Sequence, residues 1–131
     1  MRTITALIVV AIFPILCAAM VDPLEGTTWK IRVEPDASSH GPGMKAFDDV
    51  LTLKGGKLES KYLKEKGFEP ADYDGDTRGL STASFTATQT SEKEGTSKWT
   101  GAITGPGIKG ELVWTKKDGS EVRYSYSGEK Q

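Results

Sequence analysis

The chain has 131 residues, with 15 glycines, 37% hydrophobic and 27% charged residues, and a net charge of −1. This length and turn-rich composition fit one soluble domain and exclude a fibrous or low-complexity chain. The near balance of 17 basic against 18 acidic residues argues against nucleic acid or an anionic membrane surface as the main partner.

At the N-terminus, Met1-Arg2-Thr3 carries one positive charge, Ile4 to Leu16 is an almost unbroken apolar run, and Cys17-Ala18-Ala19 sets small residues where a signal peptidase reads. The pattern predicts a secretory signal over residues 1–19 and an exported protein, periplasmic or secreted, whose domain is residues 20–131. The run is shorter than the roughly 20 residues that cross a bilayer and contains Pro14, so no stable membrane insertion is expected. Cys17 resembles a lipoprotein cysteine, but Leu16 and Pro14 stand where such sites carry a small and an aliphatic residue. Cleavage after Ala19 removes the only cysteine and one arginine, leaving 16 basic and 18 acidic residues, a charge of −2. The mature chain then has no disulfide and depends on its core.

Thr27, Trp29, Ile31 and Val33 alternate with Thr28, Lys30 and Arg32, the period of a strand with one buried and one wet face. Glu34 to Lys45 holds Pro35, Gly41, Pro42 and Gly43 and no periodicity, which predicts a long surface loop, a candidate lid. Phe47 to Leu53 and Leu58 to Tyr62 flank Gly55-Gly56, a two-residue hairpin turn whose central residues need positive φ. That turn pairs Leu53 with Leu58 and Leu51 with Ser60, and it puts Asp49 on the buried face opposite Tyr62. A buried carboxylate takes structural hydrogen bonds or reads a ligand.

Leu63 to Gly67 reads as one helical turn or a turn between strands, and Phe68 to Tyr73 as a short irregular strand. Asp72, Asp74 and Asp76 recur at alternate positions as in calcium loops, but Thr77 stands where that loop wants glycine and Ala83 where it wants glutamate. A solvated Asp/Gly turn is the favoured reading. In Ser81 to Ser91, Ala83, Phe85, Ala87 and Gln89 face one way and a threonine-rich series the other.

The last third, Thr96 to Gly128, is a β-meander of three alternating runs separated by Gly105-Pro106-Gly107 and Lys117-Asp118-Gly119. Parity across these turns pairs Trp99 with Leu112, Gly101 with Gly110, Trp114 with Val122, Leu112 with Tyr124 and Gly110 with Tyr126. Two inward glycines then lie side by side under a tyrosine. Such a bare patch accepts an aromatic ring, marks a bend of the sheet, or admits a ligand.

The runs add up to about eight strands with no amphipathic helix to cover a sheet face. An apolar sheet face of this size is buried by closure or by folding over. The expected fold is all-β, a single antiparallel up-and-down meander of about eight strands closed into a small barrel, with the last strand beside the first; a two-sheet β-sandwich is the alternative.

Leu24-Glu25-Gly26-Thr27-Thr28-Trp29 ahead of such a meander resembles the opening of calycin barrels, the lipocalins, fatty-acid-binding proteins and avidins, as in a bacterial exported lipocalin-like protein. Here Gly26 lies three residues before Trp29, where lipocalins have two. The resemblance implies a small, partly apolar ligand inside the barrel.

No nucleophile, acid-base pair or phosphate loop stands out, and lone His40 has no neighbouring strong metal ligand. The expectation is therefore a non-enzymatic binding barrel without cofactor or metal, its oligomeric state open with a monomer favoured, and with Asp72, Asp74 and Asp76 as the one weak metal candidate. Its ligand-binding residues are Trp29, Asp49, Tyr62, Phe85, Trp99, Gly101, Gly110, Trp114, Tyr124 and Tyr126. The alternatives are a protein-binding module, such as a small exported protease inhibitor acting through Met20 to Glu25 or Glu34 to Lys45, and a structural envelope protein.

Overall fold

A computed structural model describes residues 22–36, 45–79 and 81–131. The predicted signal with Cys17, most of the Glu34 to Lys45 loop with His40, and Leu80 lie outside the described residues. The alternating runs become eight strands: β1 (Thr27–Pro35), β2 (Phe47–Lys54), β3 (Lys57–Ser60), β4 (Ala71–Thr77), β5 (Thr82–Ser91), β6 (Gly95–Thr104), β7 (Gly107–Thr115) and β8 (Glu121–Lys130), with one helical turn, α1 (Lys61–Lys64). Each strand pairs antiparallel with the next, and β8 pairs with β1 to close a barrel. Closure buries the apolar face without a covering helix and removes the open edges a flat sheet would expose. The two-sheet sandwich is thereby set aside.

Turn chemistry fixes the register. Gly55 and Gly56 take φ of 63° and 74°, and across them Leu53 faces Leu58 and Leu51 faces Ser60. Gly105 (φ 58°) and Gly119 (φ 89°) turn the last two hairpins. Trp99 faces Leu112 and Gly101 faces Gly110, while Trp114 faces Val122, Leu112 faces Tyr124 and Gly110 faces Tyr126. The parity pairs of the meander hold throughout.

Three local expectations are corrected. The strand after α1 spans Ala71–Thr77, not Phe68 to Tyr73. Gly67 (φ 93°) ends the helical turn, and the Phe68 N–H returns to the Leu63 carbonyl at 3.0 Å. This C-terminal cap swings Phe68 into the core, where it meets the Trp114 ring edge-on at 5.6 Å. The stretch from Asp72 is likewise strand rather than turn, with Tyr73, Gly75 and Thr77 facing Ala87, Phe85 and Ala83. Leu24, 2% exposed, fills the space in front of Gly75, so a glycine inside a strand serves long-range packing.

Tyr62 also lies in α1 and not in β3. Ser60 caps that turn, accepting the Leu63 N–H at 3.1 Å, and Asp49 accepts the Tyr62 N–H at 2.9 Å.

Stability resides in the barrel interior. Trp29, Leu51, Leu53, Leu58, Leu63, Trp99 and Leu112 are fully buried, and burying a side chain of this size contributes about 1.5–3 kcal/mol. The six ion pairs among the described residues are solvent-exposed, each worth about 1 kcal/mol or less.

At the barrel base the segment before β1 is pinned by Glu25. Its carboxylate accepts the N–H groups of Gly55 and Gly56 and the Tyr73 hydroxyl. These donors, Gly56 first, hold Glu25 below the ordinary glutamate value of 4.5. A carboxylate with a lowered folded-state pKa stabilises the fold above its unfolded value and loses that stabilisation as pH falls through the folded one. The difference in urea midpoint between wild type and Glu25→Gln is therefore expected to be full at neutral pH and to shrink in acid below 4.5. A difference independent of pH would contradict this role.

Candidate functional site

The residues predicted to bind a ligand divide among three places. Trp29, Phe85 and Trp99 belong to the filled interior. The Trp29 indole N–H donates to Thr27 Oγ1 at 2.8 Å, and Thr27 Oγ1 donates to the Leu24 carbonyl, which makes this group a plug at the base. The Trp99 indole donates to Gln89 Oε1 at 2.8 Å, and Gln89 Nε2 donates to the Glu69 carbonyl at 2.9 Å. Both rings are fully buried with their one polar atom satisfied, as buried indoles require.

Gly101, Gly110 and Tyr126 form the second place. A Cβ on Gly101 would meet the Phe85 ring at 2.6 Å and the Tyr126 hydroxyl. A Cβ on Gly110 would run into the Thr100 carbonyl and come within 2.7 Å of Gly101 Cα and Tyr126 Oη. The phenol lies edge-on to Trp99 at 5.3 Å and donates to the Thr100 carbonyl at 2.8 Å. Burial pushes Tyr126 far above the ordinary tyrosine range. The bare patch is thus filled from inside by aromatic rings, and on the outer surface the glycine backbone floors an open groove flanked by Arg32, Lys109 and Glu111.

The third place is the mouth, opposite the Trp29 plug. In an up-and-down barrel every second connection falls at the same end. The connections β1–β2, β3–β4, β5–β6 and β7–β8 therefore converge, bringing together Lys45, Lys66, Lys93, Glu94, Lys116, Lys117 and Asp118 around Phe47, Tyr62, Trp114 and Tyr124. The cavity they line is about 560 Å³ and open to solvent, within the range of small-molecule sites. Phe47 stacks on Tyr62 with centroids 3.8 Å apart and planes at 14°, and Tyr124 meets Phe47 edge-on at 5.7 Å. Trp114 is held by its indole N–H on the Glu94 carbonyl at 2.7 Å. Burial, then the neighbouring Tyr62, raises the Tyr124 phenol.

Asp49 lies beneath this rim. Its carboxylate accepts Ser60 Oγ–H and the N–H groups of Tyr62 and Val50, so it anchors the turn that carries Tyr62. Burial pushes it above the ordinary aspartate value against the pull of these donors.

Asp72, Asp74 and Asp76 point outward from β4. Spread along one face of a strand rather than around a tight loop, the three carboxylates are not placed to hold one metal ion. Asp72 instead pairs with Lys57 at 2.7 Å and Asp76 with Arg78 at 2.8 Å. No group of three or more His, Cys, Asp or Glu is placed to hold a metal among the described residues.

The mouth lysines are the feature that reading for inward-facing residues missed. The signal was present, because meander parity assigns loops to ends just as it assigns residues to faces. The mouth presents aromatic side chains and ammonium groups side by side. The closed eight-stranded antiparallel meander agrees with a calycin-like fold. Compared with known proteins, the chain matches no family model, no curated protein and no solved structure.

Proposed function

We propose that the protein is an exported, non-enzymatic, lipocalin-like binding barrel that takes a small, partly apolar ligand at its mouth rather than in an internal calyx. The observation that carries this reading is the aromatic cup. Phe47 and Tyr62 stay half-buried beside Trp114 and Tyr124, whereas the interior below them is occupied by Trp99, Leu112 and Tyr126. Two half-exposed rings, Phe47 and Tyr62, set against the buried Trp114 and Tyr124 and flanked by polar groups are where an amphipathic small molecule gains from burial.

The protease-inhibitor alternative loses support at its N-terminal candidate. Leu24 is buried and Glu25 is tied to Gly55, Gly56 and Tyr73, so the described part of Met20 to Glu25 is no free arm.

Titrating the protein with a panel of small aromatic and alkyl probes, read by tryptophan fluorescence, tests the proposal. Saturable quenching is expected, and Tyr62→Ala should weaken it about three- to tenfold, since an aromatic contact is worth about 0.5–1.5 kcal/mol beyond its area. Quenching by no probe, or quenching indifferent to Tyr62→Ala, would leave a structural envelope protein as the better reading.

A further inference from the structure

We infer that the mouth selects an amphipathic organic anion, an aromatic or alkyl body bearing a sulfonate, carboxylate or phosphate group; this rests on the proposal that the mouth is the binding site. Four connections far apart in sequence deliver five lysines to one opening, against two carboxylates, in a chain whose net charge is −1. Positive charge therefore predominates in the lining of this cavity while the protein as a whole is slightly acidic, the arrangement that draws in and orients an anion.

None of Lys45, Lys66, Lys93, Lys116 and Lys117 takes part in the ion pairs formed among the described residues, which use Arg32, Lys57, Lys64, Arg78 and Arg123. Of the two acids at the mouth, Glu94 and Asp118, the Asp118 carboxylate accepts the Ser120 N–H at 2.9 Å and its hydroxyl at 2.6 Å and also attracts Lys116. Two lysines are held where a ligand's charge would sit. Lys66 Nζ stands 5.2 Å from the Tyr62 ring centroid and Lys116 Nζ 5.5 Å from that of Trp114, within cation–π range. An apolar body set against the half-exposed Phe47–Tyr62 pair would carry its anionic group beside these ammonium groups. A neutral ligand would gain the stacking alone.

The test compares two probes that share an aromatic body, anilinonaphthalene sulfonate, which is anionic, and phenylnaphthylamine, which is neutral. The sulfonate is expected to bind at least tenfold more tightly and to weaken as salt is raised, with the neutral probe insensitive to salt. The double variant Lys66→Gln/Lys116→Gln should reduce sulfonate affinity about tenfold, the sum expected of two exposed charge contacts, and leave the neutral probe unchanged. Lys109→Gln, on the outer wall, should alter neither, and circular dichroism of each variant should match wild type. Equal binding of the two probes, with no effect of the lysine variants but a loss on Tyr62→Ala, would overturn the anion inference and leave the mouth proposal standing. Binding of neither probe would remove both. Co-sedimentation with vesicles of phosphatidylcholine and phosphatidylglycerol, without saturable binding of free sulfonate, would overturn the inference in favour of a lipid headgroup in a membrane surface.

Discussion

Gly110→Ala is expected to destabilise the barrel by about 3 kcal/mol, the upper range for overpacking a close-packed interior. The added carbon would press on the Thr100 carbonyl and on Gly101 Cα of the paired strand. Both are backbone atoms within the sheet, so β6 and β7 must separate. Gly101→Ala meets side chains instead, the Phe85 ring and the Tyr126 hydroxyl, and should cost less, about 1–2 kcal/mol. Tyr126→Phe then discriminates between the two sites. Removing the hydroxyl should offset part of the Gly101→Ala cost beyond additivity and do little for Gly110→Ala. Urea unfolding midpoints of the three single variants and of the two glycine variants combined with Tyr126→Phe check this, and an undiminished midpoint for Gly110→Ala would mean the strands are not in the contact described.

Asp49→Ala is the second substitution with a large expected effect, and it links packing to binding. It leaves Ser60 Oγ–H and the Tyr62 and Val50 N–H groups without their acceptor, in a position only 4% exposed. Orphaning buried donors costs about 1–3 kcal/mol, and the loss of more than one places the total near 3 kcal/mol. Because the freed Tyr62 carries the ring stacked on Phe47 at 3.8 Å, probe affinity at the mouth should fall as well, although Asp49 is not among the mouth residues. Asp49→Asn retains one carbonyl acceptor and should be milder on both counts. Thermal unfolding together with the fluorescence titration separates the two effects. Full destabilisation with unchanged probe affinity would mean that the α1 anchor does not position the rim.

Much of this architecture is legible in the sequence. Alternation identified seven strands, and the turns at Gly55-Gly56, Gly105-Pro106 and Lys117-Gly119 set register, because a tight turn fixes which residues oppose one another. Where reading failed, distant packing had replaced local pattern. In β4 Tyr73, Gly75 and Thr77 face Ala87, Phe85 and Ala83, yet Gly75 and Thr77 are exposed, and Leu24, from far earlier in the chain, occupies the place a side chain on Gly75 would take. Tyr62 continued an apparently regular strand, but Ser60 and Asp49 offered its backbone a cap instead.

The candidate site was legible only in part. Tyr62, Trp114 and Tyr124 do meet at the mouth, yet Trp29, Phe85 and Trp99 are interior packing. An inward-facing aromatic has the same sequence signature whether it fills a core or lines a cavity. The lysines were passed over because a lysine in a loop looks like ordinary solvated surface until the end of the barrel it occupies is worked out.

The three tryptophans report the central claim, that the interior is filled and the mouth binds. Their indole N–H groups donate to Thr27, Gln89 and the Glu94 carbonyl respectively, so each gives a separate signal in a nitrogen-15 NMR spectrum, assignable by single Trp→Phe variants. On saturation with anilinonaphthalene sulfonate, the Trp114 signal should move strongly while those of Trp29 and Trp99 stay in place. A shift centred on Trp29 or Trp99, with Trp114 unmoved, would put the ligand inside the barrel and contradict the account.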